Sequence, residues 1–576
     1  MARYAEAAYY DFALKLTQEA AQILRNSITG LKDVDEKRGN WDLVTQYDRK
    51  IEDIIIRKLR QEYPSHKFIA EESSGKELPE LTDDPTWIID PIDGTTNFVH
   101  GFPHTCVVVG LAIRKEMVIG IVYNPVLEQL FTARKGRGAF LNGKSIHVSN
   151  IQDLSKALVC METGFMRIDS LRELTIERVQ AVVEQVQGIR TLGVAALSLC
   201  YVALGIVEAY YVEGPGVSTW DIAAASLIIS EAGGVVIDRV TGNPIDIMKA
   251  RAIAGCNMKI AQDIFQIIRK ADERVQLKKK PNYFGLCPSY KTMESYNIDE
   301  YFDFVKELIM NAGMVIKDGI NKEKIIDCKG IDWDLVTDYD HKVEDAIIKN
   351  LSQKYPSHKF IGEEAAAKAG VMPILTDDPT WIIDPIDGTT NFVHRFPHTC
   401  ISVALLIRKK IEIGIVYNPI INQFFSAKKG FGAFLNGKLI KTSTVEDLSQ
   451  ALVAMEPWIA KDKEYLCSIY SRMHAIIQNT HGVRTLGTAA LSLCYVAMGA
   501  VEAYHVESID SWDVAAGTLI IEEAGGIVID TNGGSLDIME PRVIAACNNQ
   551  IGEKIVKLFQ NIDSSQFSKS IIKVTS

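Results

Sequence analysis

No apolar run in this chain approaches the ~20 residues needed to cross a bilayer, so no membrane span is expected. Basic residues are in the minority: 62 Lys and Arg stand against 73 Asp and Glu, for a net charge of −11. That balance speaks against a duplex nucleic-acid binder, which normally shows a basic face. The ten cysteines are scattered without CxxC spacing, which removes the zinc-site and dithiol readings. GxxxxGK[ST] and GxSxG are missing, and with them the signatures of phosphate-loop kinases and serine hydrolases. The opening residues MARYAEAAYYDFALKL are interrupted by Arg3, Glu6 and Asp11, so a signal peptide is not expected and a reduced, cytoplasmic setting is.

What the chain does have is internal repetition. Leu81 to Cys106 read LTDDPTWIIDPIDGTTNFVHGFPHTC, and Leu375 to Cys400 read the same except for Arg395 in place of Gly101. Trp41-Asp-Leu-Val-Thr-Gln-Tyr-Asp48 recurs as Trp333-Asp-Leu-Val-Thr-Asp-Tyr-Asp340, and Tyr63 to Glu72 recurs as Tyr355 to Glu364. Further on, Gly193 to Ala203 matches Gly487 to Ala497, and Trp220-Asp221 matches Trp512-Asp513. A period this long means duplicated globular domains, because solenoid repeats run about 20–50 residues. Each copy, at roughly 270 to 280 residues, is large enough for a core of its own.

Residues 1–271 are expected to form the first domain and 298–576 the second. Between them, 272–297 carries three consecutive lysines, two prolines and a glycine, and reads as a solvated linker. Tyr301, Phe304, Val305, Leu308 and Ile309 recur at helical spacing near the start of the second copy. Thr86-Trp-Ile-Ile89, Cys106 to Ile113 and Val118 to Tyr123 read as strands, and Leu197 to Val207 as a buried helix. Strands and helices mixed in this order predict an α/β or layered α+β fold.

Five acids in the first copy stand out: Asp48, Glu71, Asp90, Asp93 and Asp221. A strand that meets Asp90-Pro91 is expected to end there, because proline has no N–H and restricts the residue before it. The turn that follows brings Asp90 and Asp93 together, Gly94 allows a tight backbone path, and Thr95 offers a hydroxyl for a water. Clustered carboxylates repel one another unless cations neutralise them, and hard oxygen ligands of this kind suit Mg²⁺. Bound cations would also reconcile an acidic chain with an anionic substrate. His100 and His104 read as structural, Trp220 as core, and Glu72 as less central than Glu71.

Together, the Trp-Asp-Leu-Val-Thr segment ending at Asp48, Glu71-Glu72, the run from Asp90 to His100, and Trp220-Asp221 resemble the inositol monophosphatases, lithium-sensitive Mg²⁺-dependent phosphatases. The resemblance covers both copies and leaves out only the linker and the termini. It implies an αβαβα sandwich in each copy and hydrolysis of a phosphomonoester by two-metal activation of water. By that resemblance Glu71, Asp90 and the Ile92 carbonyl would hold one Mg²⁺, and Asp90, Asp93 and Asp221 a second. Thr95 and Asp48 would orient and activate the water, while Gly94 and Thr95 present backbone donors to the phosphate. The second copy supplies Asp340, Glu363, Asp384, Ile386, Asp387, Thr389 and Asp513, with Gly388 and Thr389 as the phosphate donors.

The copies depart from one another in the substrate loop. The Gly-Thr-Ala of the family is kept at Gly487-Thr488-Ala489 and reads Gly193-Val194-Ala195 in the first copy. The segment before Trp220 carries Gly214-Pro215-Gly216 and is two residues longer than its counterpart before Trp512. Glu213 and Glu507 are the nearest candidates for the glutamate that contacts the polyol. Family members are typically dimers of one such unit, so an intramolecular pseudo-dimer is implied. Three readings stay open: hydrolysis of inositol monophosphate, the same chemistry on another sugar or nucleotide phosphate, or one domain as a silent partner.

Overall fold

The computed structural model describes residues 2–30, 32–39, 42–74, 80–167, 169–212, 217–275, 298–329, 335–456 and 466–564. The chain divides into two compact units, Met1–Leu277 and Lys278–Ser576. The helix Met258–Val275 continues the first unit past the expected boundary at Ala271. The remainder of the expected linker, 276–297, lies outside the described residues.

The first unit is built on a seven-stranded sheet in the order Lys67–Ala70, Thr86–Asp93, Cys106–Ile113, Glu116–Asn124, Gln129–Arg134, Ala139–Leu141 and Lys144–Ile146. Its first pair is parallel and the rest are antiparallel. Cys106 to Ala112 is buried at every position, which explains its uninterrupted apolar reading: the sheet is covered on both faces. On one face lie the helices Ala2–Ser27 and Gln46–Glu62, whose Leu16, Ala20, Leu24, Ile51, Ile55 and Leu59 pack against Trp87, Val107, Val109 and Ile121. Against the other face lies Thr219–Glu231, beside Ala195–Ala203.

A five-stranded sheet follows, ordered Gly188–Arg190, Leu158–Met161, Ala209–Tyr211, Ala252–Gly255 and Val235–Asp238. The helices Asp169–Val183 and Met258–Val275 pack together on its far side. The layers therefore run helix pair, sheet, helix pair, sheet, helix pair, the αβαβα order expected. The second unit repeats it, with seven strands from Lys359–Gly362 to Lys438–Ile440 and five from Gly482–Arg484 to Ile527–Asp530.

Thr86–Asp93 does not end at Pro91, as the sequence suggested, but runs on to Asp93. The pairing with Cys106–Ile113 shifts register between Asp90 and Asp93. Pro91 falls inside that irregularity, where its missing N–H leaves no ladder bond unmade.

The central helix approaches the sheet closely at Gly120, where a Cβ would sit 2.4 Å from the Ala224 carbonyl oxygen. Gly120→Ala should therefore force helix and sheet apart and destabilise the first unit by about 2 kcal/mol. Calorimetry should show a fall of several degrees confined to that unit's transition, about 2–4 °C per kcal/mol at this size.

Candidate active site

The helix Gln46–Glu62 buries Asp48, Ile51, Glu52, Ile55 and Leu59 on one face. Its core-facing stripe thus starts in carboxylates and ends in aliphatics, and the acidic end meets the end of the strand Thr86–Asp93. Asp48 occupies the third helical position of a capping box: Thr45 N–H and Thr45 Oγ1 donate to Asp48 Oδ2 at 2.7 and 2.5 Å. That leaves Asp48 Oδ1 to the Thr95 hydroxyl at 3.1 Å, with the Ile92 carbonyl 2.9 Å from the same hydroxyl. Thr95 has one proton for two acceptors, and its hydroxyl bridges helix and strand.

Asp221 takes the same third position in the helix Thr219–Glu231, boxed with Ser218. One oxygen of each of Asp90, Asp93 and Asp221 lies within 4.8 Å of the others, and the same holds for Asp384, Asp387 and Asp513. Helix capping and strand end thus bring together acids more than a hundred residues apart in the chain. Glu71 follows the neighbouring parallel strand, its N–H donating to the Ile89 carbonyl at 3.2 Å. Gly94 takes the left-handed conformation, φ 81°, at the turn into the helix Thr95–His100. A Cβ there would come 2.9 Å from the His104 carbonyl, so both φ and space demand glycine.

Burial, then the charges of Glu71, Asp93 and Asp221, hold the Asp90 carboxyl well above the usual range. Burial, then Asp93 and Glu71, does the same to Asp221. Asp93 is raised to about 7 by burial, opposed by the Ala196 and Ala195 amides, which donate to it at 2.7 and 3.3 Å. Asp48 is raised to about 6 by burial, with the Thr45 hydroxyl opposing and Glu71 adding to the rise. In the second unit Asp384 and Asp513 lie well above the usual range, Asp340 near 7 and Asp387 near 6, burial leading in each. Carboxylates held this close favour protons unless a cation replaces them. An all-oxygen donor set of this density fits a hard divalent metal.

One difference between the two units lies in a hydrogen bond to the second Asp of the turn. The Thr488 hydroxyl donates to Asp387 Oδ2, a bond that Val194 cannot make to Asp93. A buried hydroxyl-to-carboxylate bond contributes about 1.5–3 kcal/mol and orients the ligand oxygens. Thr488→Val should weaken divalent-metal binding by the second unit about tenfold. Val194→Thr should strengthen the first, both read by isothermal titration of Mg²⁺.

The loop expected to meet the substrate is tied down by acids. Gly193 N–H donates to Glu162 at 3.2 Å and Gly487 N–H to Glu456 at 3.1 Å, while Ala195 and Ala489 amides face Asp93 and Asp387. Glu213 lies outside the described residues. Glu507, expected beside the polyol, is instead turned into a buried ion pair with Arg472 at 2.8 Å, and Arg472 also holds Asp563 at 3.0 Å. Arg472 provides the physical reason, since a carboxylate only 8% exposed is costly without a cation. His104 is buried and stacked on Phe102 at 5.2 Å, the structural role expected of it.

The acids' neighbours were not all foreseen. Lys37 Nζ lies 2.7 Å from Glu71 and 2.5 Å from Glu72, and Lys329 Nζ lies 2.5 Å from Glu363 and 2.6 Å from Glu364. These ammonium groups stand among the acids as a cation would. The signal was available in the repeat, where DEKRGNWD and DCKGIDWD both place a lysine ahead of the shared Trp-Asp. Glu52 and Glu344 were missed as well: they accept from the Glu72 amide at 2.7 Å and from the Glu364 and Ala365 amides at 3.2 and 3.0 Å. They read as helix-surface charges until the fold buries them.

Fold and site together define a class: layered α/β domains holding a carboxylate cluster, suited to metal, where a strand end meets two helix N-termini. The family model "Inositol monophosphatase family" matches residues 6–273 and again 297–564, and the chain belongs to that family, in two copies. Human inositol monophosphatase 2 is 44% identical over 266 residues, covering 46% of this chain and 92% of that protein. Inositol monophosphatase 3 of Solanum lycopersicum is 44% identical over 262 residues, 45% of this chain and 97% of that one. Among solved structures, the extragenic suppressor protein suhB of Bartonella henselae is 32% identical, covering 45% of this chain and 98% of that one, with a TM-score of 0.41.

Proposed function

We propose that this chain is a Mg²⁺-dependent phosphomonoesterase that hydrolyses inositol monophosphate to inositol and phosphate, with a site in each unit. The observation that carries the reading is the paired cluster: three Asp oxygens within 4.8 Å, twice over, in a chain of this family. Glu71, Asp90 and the Ile92 carbonyl would hold one ion, and Asp90, Asp93 and Asp221 the other. Glu363, Asp384, Ile386, Asp387 and Asp513 would do so in the second unit. Bound there, the ions supply charge neutralisation for the phosphate and a lowered pKa for a coordinated water.

The protein's own part is positioning and proton transfer. Thr95 and Thr389 would orient the water through their hydroxyls, and Asp48 and Asp340 would accept its proton. The backbone at Gly94–Thr95 and Gly388–Thr389 would seat the phosphate. Gly193, Val194 and Ala195, with Gly487, Thr488 and Ala489, would line the polyol side. Pairing of the two units within a chain belongs to the same proposal, and light scattering that gave a stable mass of two chains would count against it.

Phosphate release from myo-inositol 1-phosphate, measured with Mg²⁺ and with EDTA beside a panel of sugar and nucleotide phosphates, tests the reading. Turnover that needs Mg²⁺ and favours the inositol ester is expected. Turnover unaffected by EDTA would sink the metal role, and preference for another ester would move the substrate.

A further inference from the structure

The nearly identical acidic segments differ at one position, and that position carries backbone strain. Arg395 adopts φ 62°, a conformation that side-chain-bearing residues disfavour, where the first copy has Gly101 at φ 71°. Arg395 lines a concave pocket of about 240 Å³ with Lys322, Lys324, Asn321, Val393 and Glu323. Here the chain leading into the strand Ile326–Cys328 meets the end of the helix Thr389–Val393.

Three cations line the pocket beside the Glu323 carboxylate, and the Asp338 carboxylate, itself paired with Lys342, acts on Lys324 from outside the lining. Lys324 Nζ is anchored at a fixed point by the carbonyls of Ile320 at 2.9 Å and Lys322 at 3.1 Å, over the Phe392 ring at 4.7 Å. Burial, and then the charge of Arg395, lowers Lys324 to about 8, against the opposing charge of Asp338. Neither Arg395 nor Lys322 has a carboxylate partner among the described residues. With Lys322 and Arg395 unpaired, the pocket keeps an excess of positive charge that an anion would offset.

The first unit lacks this arrangement. Lys32 keeps the anchored position, bonded to the Ile28 carbonyl at 2.8 Å and set over Phe98 at 4.8 Å. The positions matching Lys322 and Arg395 are Gly30 and Gly101. The anchored lysine is therefore common architecture, and the two added cations belong to the second unit alone.

We propose that the second unit carries an oxyanion site, absent from the first, in which Lys322, Lys324 and Arg395 hold a phosphate group. A guanidinium fork and two ammonium groups suit a tetrahedral, doubly charged anion, and the Asn321 amide adds a neutral donor. The phosphate is either free in solution or a second phosphate on a polyol substrate. No residue of the pocket belongs to the acidic cluster.

The full chain in EDTA is titrated with inorganic phosphate by calorimetry; without divalent cations the carboxylate clusters repel it, and turnover plays no part. The wild type should show one class of phosphate site. Arg395→Gly installs the first copy's residue at a φ that glycine accepts, and should weaken binding about tenfold; Lys322→Gly should do likewise. No binding by the wild type, or binding by both variants as tight as the wild type's, overturns the site. With Mg²⁺ present, a KM rise in Arg395→Gly for an inositol bisphosphate but not for a monophosphate identifies the substrate's second phosphate as the occupant. Unchanged KM for both, with phosphate binding lost, identifies free phosphate.

Discussion

Replacing Asp90 and Asp384 together by asparagine should lower phosphate release from inositol monophosphate about a thousandfold. Both carboxylates are essentially sealed in, 1% and 2% exposed, and each is the acid that neighbouring acids crowd most. Asparagine keeps the shape, so the Ile92 and Ile386 amides, which donate to Asp90 and Asp384 at 3.0 and 2.9 Å, keep an acceptor. What disappears is the charge that a cation needs. Because that charge is also repelled in the metal-free protein, the double variant should melt no lower than the wild type in EDTA. Loss of activity together with a fall in melting temperature would point to misfolding instead. Each single variant should keep the activity of the other unit. If one of them alone removes all activity, the other unit is a silent partner, and the missing Thr488-type bond at Val194 makes the first unit the candidate.

Metal removal should have an effect on stability whose size depends on pH. Asp93 and Asp340 lie near 7, and Asp48 and Asp387 near 6, against an ordinary value of 3.8. Between about 4 and 7 the folded metal-free chain therefore holds protons that the unfolded chain has released, and its stability falls as pH rises through that window. Above about 7 both states have lost these protons and this contribution levels off. At pH 8, Mg²⁺ at a hundred times its Kd should restore about 2.7 kcal/mol, or about 5–10 °C in a unit of this size. At pH 5 protons compete for the same oxygens and the gain should shrink. Thermal melts with EDTA and with Mg²⁺ at both values measure this directly. A metal-free chain that grows more stable between pH 5 and pH 7, with no larger Mg²⁺ effect at pH 8, would contradict the account of the site.

The repeat, the layered α/β class and the acids at Asp90, Asp93 and Asp221 were all readable along the chain. Repetition is a one-dimensional property, and two copies of an acid-rich turn distinguish chemistry from packing without any coordinates. The alternation of apolar runs with helical periodicity is set by which face of each element is buried, so it too is written locally. The long apolar run Cys106 to Ile113 read as a strand, and the structure adds that its sheet is covered on both faces.

Other features depend on groups far apart in sequence. That the strand survives Pro91 depends on a register shift against its neighbour, not on the proline itself. Lys37 and Lys329 join the acids across more than thirty residues of chain, and Glu52 and Glu344 matter only because their helix buries that face. Glu507 is claimed by Arg472, which Asp563 shares from a separate helix, a pairing that no local pattern reveals. The Thr488 hydroxyl reaches Asp387 across more than a hundred residues. Sequence determined which groups the protein possesses and how its elements alternate, because those follow from neighbours along the chain. Only the tertiary structure decided which charges share a buried space, because burial and Coulomb interaction depend on distance in three dimensions.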